Sequence, residues 1–344
     1  MIPYCQVNKT LIRRNLFIQF IRLLHNEPPK SVLYPLESRK LLKIRGNDAP
    51  IFLQGLITND MRHFEEGAMS MYAMFLNNKG RVLYDTLIHK WEDNESFMIE
   101  CDKEVFKVLY KHLTLYKLKR KVVLEDVSQD YRLWNLTVAN DTPETNIDLK
   151  SSISLYKDPR VVDLGFRIIS SINMDGSQIA QKFSHNIIVE NDETGYKYLR
   201  YKLGVSEGAE DLPPGTTFPL EVNCDYLHGV SFHKGCYIGQ ELTARVYHTG
   251  VIRKRIMPLK FNEPLKENLE KDSIISASNK PKSNIGKLKG VLNEYGLGLI
   301  RIKEALDAKL VQIGNYTAEV VKPSWWPIEA PKEKVITKND SNCN

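Results

Sequence analysis

The chain has 344 residues, of which 42% are hydrophobic and 26% are charged. This is more sequence than one compact core usually holds, so we expect two or three packed units. With 19 glycines and 16 prolines, the composition excludes a fibrous, collagen-like or largely disordered protein. Because the sequence has no run of about eighteen apolar residues, we predict no membrane-spanning helix and no membrane partner.

The formal net charge of +6 is concentrated at the amino end. Residues 1–30 hold five basic side chains against one acidic side chain, Glu27, and the rest of the chain is close to neutral. That remainder has no dense basic stripe interleaved with aromatic residues. The charge distribution therefore argues against nucleic acid as a partner.

The first 30 residues have the pattern of a mitochondrial presequence. Phe17, Phe20 and Leu24 fall on one helical face, Arg22 falls on the opposite side, and no acidic residue precedes Glu27. A secretory signal would need an uninterrupted apolar segment, which Arg22 breaks. We therefore predict the mitochondrial matrix as the location, with an ordinary amphipathic helix as the alternative.

Residues 31–255 alternate between strand-like and helix-like segments, which predicts an α+β fold. Asp48 is placed to cap a helix over residues 49–57, and Asn77 to Gly80 form a strong hairpin turn signal. The other predicted strands lie at 41–44, 71–76, 81–90, 96–100, 122–124, 131–139 and 165–170, and the other helices lie at 103–116, 176–184, 196–203 and 240–248.

The carboxy-terminal part of the chain has a different pattern. Short strand-like segments separated by glycines occupy residues 256–330, which predicts a small β-domain. Residues 331–344 have nothing to bury, so we expect a disordered tail there.

The segment HKGCYIGQELTAR at 233–245 is the densest chemical signal. Lys234 precedes Cys236 by two residues, and a helix that begins just after the cysteine adds its amide dipoles. Both features favour a thiolate, so Cys236 is a candidate reactive or metal-binding sulfur. A small buried side chain at a tight turn is the alternative.

The five cysteines are too few and too scattered for a disulfide framework, and their odd number leaves at least one thiol free. A reducing compartment fits this pattern. The spacing of Cys224, His228, His233 and Cys236 matches no established zinc finger, so we do not predict a closed zinc site.

Two carboxylates in apolar surroundings are candidate ligand contacts. Glu221 follows Pro219 in PLEVN, where its carboxylate either meets a ligand or points to solvent. Asp85 lies in an apolar strand, where it either faces a cavity or forms a salt bridge, with Arg81 as the nearest candidate.

Several blocks together resemble the YgfZ-type proteins, folate-binding relatives of the glycine cleavage T-protein whose mitochondrial members assist iron-sulfur cluster assembly. The block KGCYIGQE at 234–241 is the most specific. The others, in the same order as in the family, are FLQGLITND at 52–60, FLNNKGRVLYD at 75–85, DPRVVDLGFR at 158–167 and PLEVNCDYLHGVSF at 219–232.

The resemblance implies a three-part ring around a tetrahydrofolate cavity. Its parts are a split α+β domain and a ferredoxin-like domain, interleaved within residues 31–255, and a carboxy-terminal β-barrel over 256–330. Glu221 corresponds to the T-protein glutamate that holds the pterin, and Glu221 with Asp85 would line the folate cavity. Only one carboxylate, Asp85, remains where T-proteins have an aspartate pair, which argues against aminomethyl transfer.

The resemblance also implies an assembly role centred on Cys236. We predict that the chain acts with A-type iron-sulfur carrier proteins on 4Fe-4S clusters, and that Cys236 binds a cluster shared transiently with the partner. Lys234 would stabilise the thiolate, and Gln240 with Glu241 would fix the loop. The chain alone is expected to be a monomer. A folate-dependent aminomethyltransferase or other one-carbon transferase is the alternative.

Overall fold

The computed structural model describes residues 31–92, 95–138, 153–183, 187–267 and 269–327. The predicted presequence at 1–30 and the predicted tail at 331–344 lie outside these ranges. Within them, every helix is too short or too polar to cross a lipid bilayer.

The part of the chain before the barrel forms two five-stranded sheets. Its elements, in order, are β1 (Ser31–Pro35), β2 (Arg39–Arg45), α1 (Ala49–Gln54), β3 (Ser70–Leu76), β4 (Val82–Trp91), β5 (Ser96–Asp102), α2 (Lys103–Lys117), β6 (Val123–Asp126), β7 (Tyr131–Thr137), β8 (Ile153–Lys157), β9 (Phe166–Ser171), α3 (Gly176–Ala180), β10 (Ile187–Val189), α4 (Thr194–Leu203), α5 (Gly208–Asp211) and α6 (Gln240–Thr249).

Sheet I has the strand order β3-β4-β5-β2-β6 and is antiparallel throughout. The hairpin β3–β4 turns at Asn77, whose Oδ1 accepts hydrogen bonds from the backbone N–H groups of Lys79 and Arg81. Helix α2 covers this sheet with one face, which buries the side chains of Val105, Phe106, Leu109 and Leu113. The predicted hairpin and helix are therefore confirmed.

Sheet II has the order β10-β1-β7-β9-β8, with β1 and β10 parallel and the other pairs antiparallel. Strand β1, which lies between β10 and β7, is the first described strand, and the chain then builds all of sheet I before it returns to β7, the central strand. Helix α4 ends as predicted at Gly204, whose φ of +77° is in the left-handed region that glycine favours.

The carboxy-terminal part is a closed β-barrel. It consists of β11 (Lys254–Phe261), β12 (Ile274–Ala277), β13 (Lys280–Leu292), β14 (Tyr295–Arg301), α7 (Ile302–Ala308), β15 (Leu310–Ile313) and β16 (Tyr316–Val320). The strand order β11-β14-β13-β12-β15-β16 closes through pairing of β11 with β16. The predicted β-domain and the α+β class are confirmed.

The predicted cap of the first helix is wrong. Asp48 has helical backbone angles and makes no side-chain cap to α1. Its Oδ2 instead accepts a hydrogen bond of 2.7 Å from the Lys121 backbone N–H, which lies 73 positions later in the chain. The helix also ends earlier than the predicted residue 57, at Gln54, because the chain turns there towards the buried residues Leu56 and Ile57.

Buried ion pairs join the two sheets. Glu100 on β5 of sheet I accepts hydrogen bonds from Arg39 Nε on β2 at 2.9 Å and from Arg167 Nε on β9 of sheet II at 3.2 Å. Arg167 also donates to Glu207, at 2.8 Å. We call the following set the buried ionic network: Arg39, Asp85, Glu100, Asp158, Arg160, Arg167, Arg200, Glu207 and Asp211.

The network keeps its central carboxylate ionised. Burial alone would raise the pKa of Glu100, but Arg167 and Arg39 outweigh it and lower that pKa from 4.5 to about 2. A carboxylate removed from water costs several kcal/mol unless opposite charges compensate it. Sheets I and II must therefore be docked for Glu100 to be tolerated in its site.

We predict that Glu100→Gln destabilises the fold by about 3–5 kcal/mol, because Arg39 and Arg167 then lack their shared charge partner. Urea denaturation followed by circular dichroism measures this change. Glu125→Gln is the matched control, since Glu125 pairs with Arg45 at the surface and should change stability by about 1 kcal/mol or less.

Glu100→Gln should also change how the stability of the fold depends on pH. Because the folded-state pKa of Glu100 is depressed, its stabilising contribution is complete above about pH 4.5 and is lost as the pH falls towards 2. Acid destabilisation in this window should therefore be shallower in Glu100→Gln than in the wild type. Equal acid profiles for the two proteins would contradict the assignment.

Candidate functional site

Cys236 lies in a loop over residues 231–239, which leads into helix α6. Its free thiol is exposed, whereas Cys101 and Cys224 are buried. A Cβ placed on the adjacent Gly235 would meet nothing within 4 Å, so the loop projects into open space at this point. Among the described cysteines, Cys236 is the one that a second molecule can reach.

Lys234 anchors this loop to the chain segment that follows α1. Its Nζ donates hydrogen bonds to three backbone carbonyl oxygens, those of Gln54 at 2.8 Å, Ile57 at 2.8 Å and Asn59 at 2.5 Å. Burial lowers the pKa of Lys234 from 10.5 to about 8, and the charge of Asp60 opposes that shift. The ammonium group therefore serves as a three-way link between the loop and residues 54–59.

Backbone hydrogen bonds fix the loop on both sides of Lys234. Ser231 N–H donates to the Thr58 carbonyl at 3.1 Å, and Ile238 N–H donates to the Gly55 carbonyl at 3.2 Å. The loop is thus held along its length by one short stretch of chain that lies about 180 residues earlier.

Side chains of that stretch also support the residues in front of the loop. Thr58 Oγ1 donates to the Gly229 carbonyl at 2.6 Å, and Asn59 Nδ2 donates to the His228 carbonyl at 2.7 Å. Both side chains are buried. The block FLQGLITND therefore forms the platform on which the Cys236 loop rests.

The end of the loop packs against the β3–β4 hairpin. Gly239 has a φ of +78°, and a Cβ at this position would lie 2.3 Å from the Asn77 carbonyl oxygen. Only glycine fits there. Gln240 then begins α6, and its Oε1 accepts a hydrogen bond of 3.2 Å from Tyr237 N–H.

The expected site residues thus take different places. Gln240 contacts the loop backbone, whereas Glu241 is exposed in the first turn of α6. Lys234 was expected to stabilise the thiolate, but its three N–H groups are all directed to carbonyl oxygens. Its observed contacts hold the loop in place, the task expected of Gln240 and Glu241.

Glu221 lies in a short 3₁₀ helix, Pro219–Val222, beside a cavity of about 310 Å³. One carboxylate oxygen accepts a long hydrogen bond, 3.3 Å, from Phe218 N–H. Thr243, on α6, also lines the cavity, and its buried Oγ1 has no hydrogen-bond partner within the described part of the chain. The rest of the wall is mostly apolar and comprises Phe218, Pro219, Leu220, Leu242, Val246, Val251, Ile252, Arg253 and Lys254.

Asp85 does not line this cavity. It is buried in the ionic network, where Oδ2 pairs with Arg39 at 3.4 Å and Oδ1 accepts from Gly208 N–H at 3.1 Å. Burial raises its pKa, and Arg39 opposes the shift. The suggested partner Arg81 is wrong, because that guanidinium donates to the Thr216 carbonyl and covers the Phe218 ring.

The structure also bears on zinc. Cys224 is fully buried, whereas Cys236 and His233 are exposed. Within the ranges described, no group of three or more His, Cys, Asp or Glu side chains is arranged to hold a metal ion.

Sequence reasoning missed the platform residues and most of the ionic network. Local sequence alone favours a helix stop at Thr58 and Asn59 and a turn at Asp158 and Arg160, but all four side chains are buried and are hydrogen-bonded or ion-paired. The sequence signal that indicates their burial is that these polar residues lie within otherwise apolar blocks. Arg167 carries the same signal, since it interrupts the apolar strand β9.

Two family models match this sequence. The GCVT N-terminal domain matches residues 32–137, and the CAF17 C-terminal beta-barrel domain matches residues 253–328. A crystal structure of the glycine cleavage system aminomethyltransferase T from Bartonella henselae superposes with a TM-score of 0.64 at 13% identity, over 86% of each chain. The T-protein-like fold is therefore confirmed.

Full-length relatives agree with these matches. The chain is 36% identical to the mitochondrial iron-sulfur cluster assembly factor IBA57 of Mus musculus, over 90% of each chain. It is 34% identical to the IBA57 of Homo sapiens, over 86% of this chain and 85% of that protein. The names of these relatives confirm the predicted family branch and the mitochondrial location. The chain belongs to the IBA57 family of mitochondrial iron-sulfur cluster assembly factors.

Proposed function

We propose that this chain promotes the formation or delivery of 4Fe-4S clusters in the mitochondrial matrix, together with an A-type carrier protein. The observation that carries the proposal is the exposed thiol of Cys236 on a loop that is fixed by Lys234 and two backbone hydrogen bonds. A preorganised ligand loses little conformational freedom when it binds, which lowers the free-energy cost of the contact.

Cys236 supplies one sulfur ligand to the iron-sulfur cluster that is formed or delivered. As a thiolate it donates an electron pair to iron, for which thiolates are the usual ligands in clusters. The described residues contain no group of three or more potential metal ligands, so the proposal assigns the other cluster ligands to the partner. This division suits a cluster that is shared briefly and then passed on.

The cavity beside Glu221 is the proposed site for the pterin of tetrahydrofolate. Its volume of about 310 Å³ is at the lower end for small-molecule sites. The Glu221 carboxylate can accept hydrogen bonds from pterin N–H groups, and the Thr243 hydroxyl, which has no partner among the described residues, adds a second polar contact. These residues would hold and orient the ring.

The alternative is a folate-dependent one-carbon transferase that uses Asp85 as its acid-base group. The position of Asp85 gives this alternative less support, because its carboxylate is paired with Arg39 and lies outside the cavity wall. A general acid or base must reach the reacting group.

We predict that Cys236→Ser abolishes formation of a shared cluster. The experiment is anaerobic reconstitution with an A-type carrier protein, followed by visible absorption and by size-exclusion chromatography of the complex. Cys343→Ser is the control, since it removes a thiol from the carboxy-terminal segment. Wild-type absorption in Cys236→Ser would contradict the proposed role.

We predict that Lys234→Met frees the loop while Cys236 remains in place. Three carbonyl oxygens lose their charged donor, so the fold should lose about 2 kcal/mol, and the amides of Ser231 and Ile238 should exchange hydrogen faster. Cluster formation should fall, although the thiol is intact. Lys79→Met, an exposed change on the neighbouring hairpin, should alter neither quantity.

We predict that Glu221→Gln weakens tetrahydrofolate binding by about 10- to 100-fold, the expected loss of one charge-assisted hydrogen-bonding group. Isothermal titration calorimetry measures this affinity. Glu241→Gln, on the exposed face of α6, is the matched control. Equal affinities for the two variants would place the pterin elsewhere.

A further inference from the structure

Helix α2 and the turn after it carry an apolar ridge that the fold leaves uncovered. Val108, Leu115 and Leu118 are 57%, 70% and 84% exposed. Val108 and Leu115 are seven positions apart on one side of the helix, away from the face that packs on sheet I. We call these three residues the α2 ridge.

Folding does not explain the leucine at the tip of the ridge. Leu118 has a φ of +48° and a ψ of −121°, a region that favours glycine, in a tight turn closed by Arg120 N–H donating to the Lys117 carbonyl at 3.0 Å. A strained and exposed leucine costs stability. Its presence therefore points to a contact outside the chain.

Basic side chains surround the ridge. Between residues 103 and 124 the sequence has one acidic residue, Glu104, and seven basic residues: Lys103, Lys107, Lys111, Lys117, Lys119, Arg120 and Lys121. This corrects the expectation that the chain beyond residue 30 has no dense basic stripe, because the near-neutral total charge of that part hides seven basic residues in one short segment. The occupant of the ridge must therefore combine an apolar layer with negative charge.

We propose that the α2 ridge binds the surface of an anionic phospholipid membrane. The helix would lie in the plane of the interface, with the ridge among the acyl chains and the lysines against lipid phosphates, as in other basic amphipathic helices. A bound peptide would need a groove, whereas this helix projects outward. A flat bilayer surface is therefore the better match for the ridge.

The proposal departs from the expectation of no membrane partner, which rested on the lack of a long apolar run; a helix bound to the membrane surface needs no such run. The proposal uses no residue of the Cys236 loop or of the cavity, so it stands apart from the proposed function.

The test is co-sedimentation with vesicles of phosphatidylcholine alone and with vesicles that also contain an anionic phospholipid. The full chain and a form without residues 1–30 are compared, because the predicted presequence is itself basic and amphipathic. We expect both forms to bind the anionic vesicles preferentially, with an affinity that falls as salt is added.

The variants separate binding from folding. Leu115→Ser with Leu118→Gly should weaken binding by about tenfold or more, without lowering thermal stability, because both side chains are exposed and glycine suits the turn. Lys119→Glu with Lys121→Glu should weaken it by about tenfold or more. The controls are Val162→Ser, at a site 64% exposed, and Lys266→Glu with Lys303→Glu, which should bind like the wild type.

Three results would overturn the proposal. The first is no binding to anionic vesicles, which would leave an acidic protein as the occupant to seek. The second is binding that disappears with residues 1–30, which would assign it to the presequence. The third is ridge and lysine variants that bind as tightly as their controls.

Discussion

The pairing of Glu100 with arginines from both sheets is the constraint on which the arrangement of the molecule depends. Its carboxylate is fully buried, and Arg39 and Arg167 reach it from sheets I and II. An apolar contact between sheets tolerates sliding, whereas a desolvated charge does not. The network therefore contributes specificity of docking more than net stability, because well-packed apolar residues often stabilise as much as buried ion pairs do.

The Cys236 loop depends on a second set of buried contacts, which tie it to sheet I. The segment 54–59 is fixed to sheet I, since Met74 N–H donates to Thr58 Oγ1 and Asn59 Nδ2 donates to the Tyr72 carbonyl. Lys234 then ties the loop to that segment. The position of an exposed thiol is thus set by buried contacts, which is how a surface group becomes preorganised without being covered.

The sequence predicted the features that depend on local pattern. The buried face of α2 followed from its 3.6-residue period, the β3–β4 turn from its Asn-Gly-rich chemistry, and the end of α4 from Gly204. The sequence did not predict contacts between residues that lie far apart along the chain. Asp48 finds Lys121, Asp85 finds Arg39 rather than Arg81, and Lys234 finds carbonyls 175 or more positions away. A buried polar residue reveals that it needs a partner, but local spacing does not reveal which one.

The difference in burial between the cysteines explains how one sulfur could be selected as a ligand for the iron-sulfur cluster. Burial raises the pKa of Cys101 to about 12 and also raises the pKa of Cys224. Both therefore remain protonated at neutral pH, and the thiolate is the form that binds iron. Cys236 alone among the described cysteines is open to a partner. A cluster brought by a carrier would thus meet a single defined ligand. Because one thiolate holds a cluster only together with ligands from a partner, the geometry that allows the cluster to bind also allows its release.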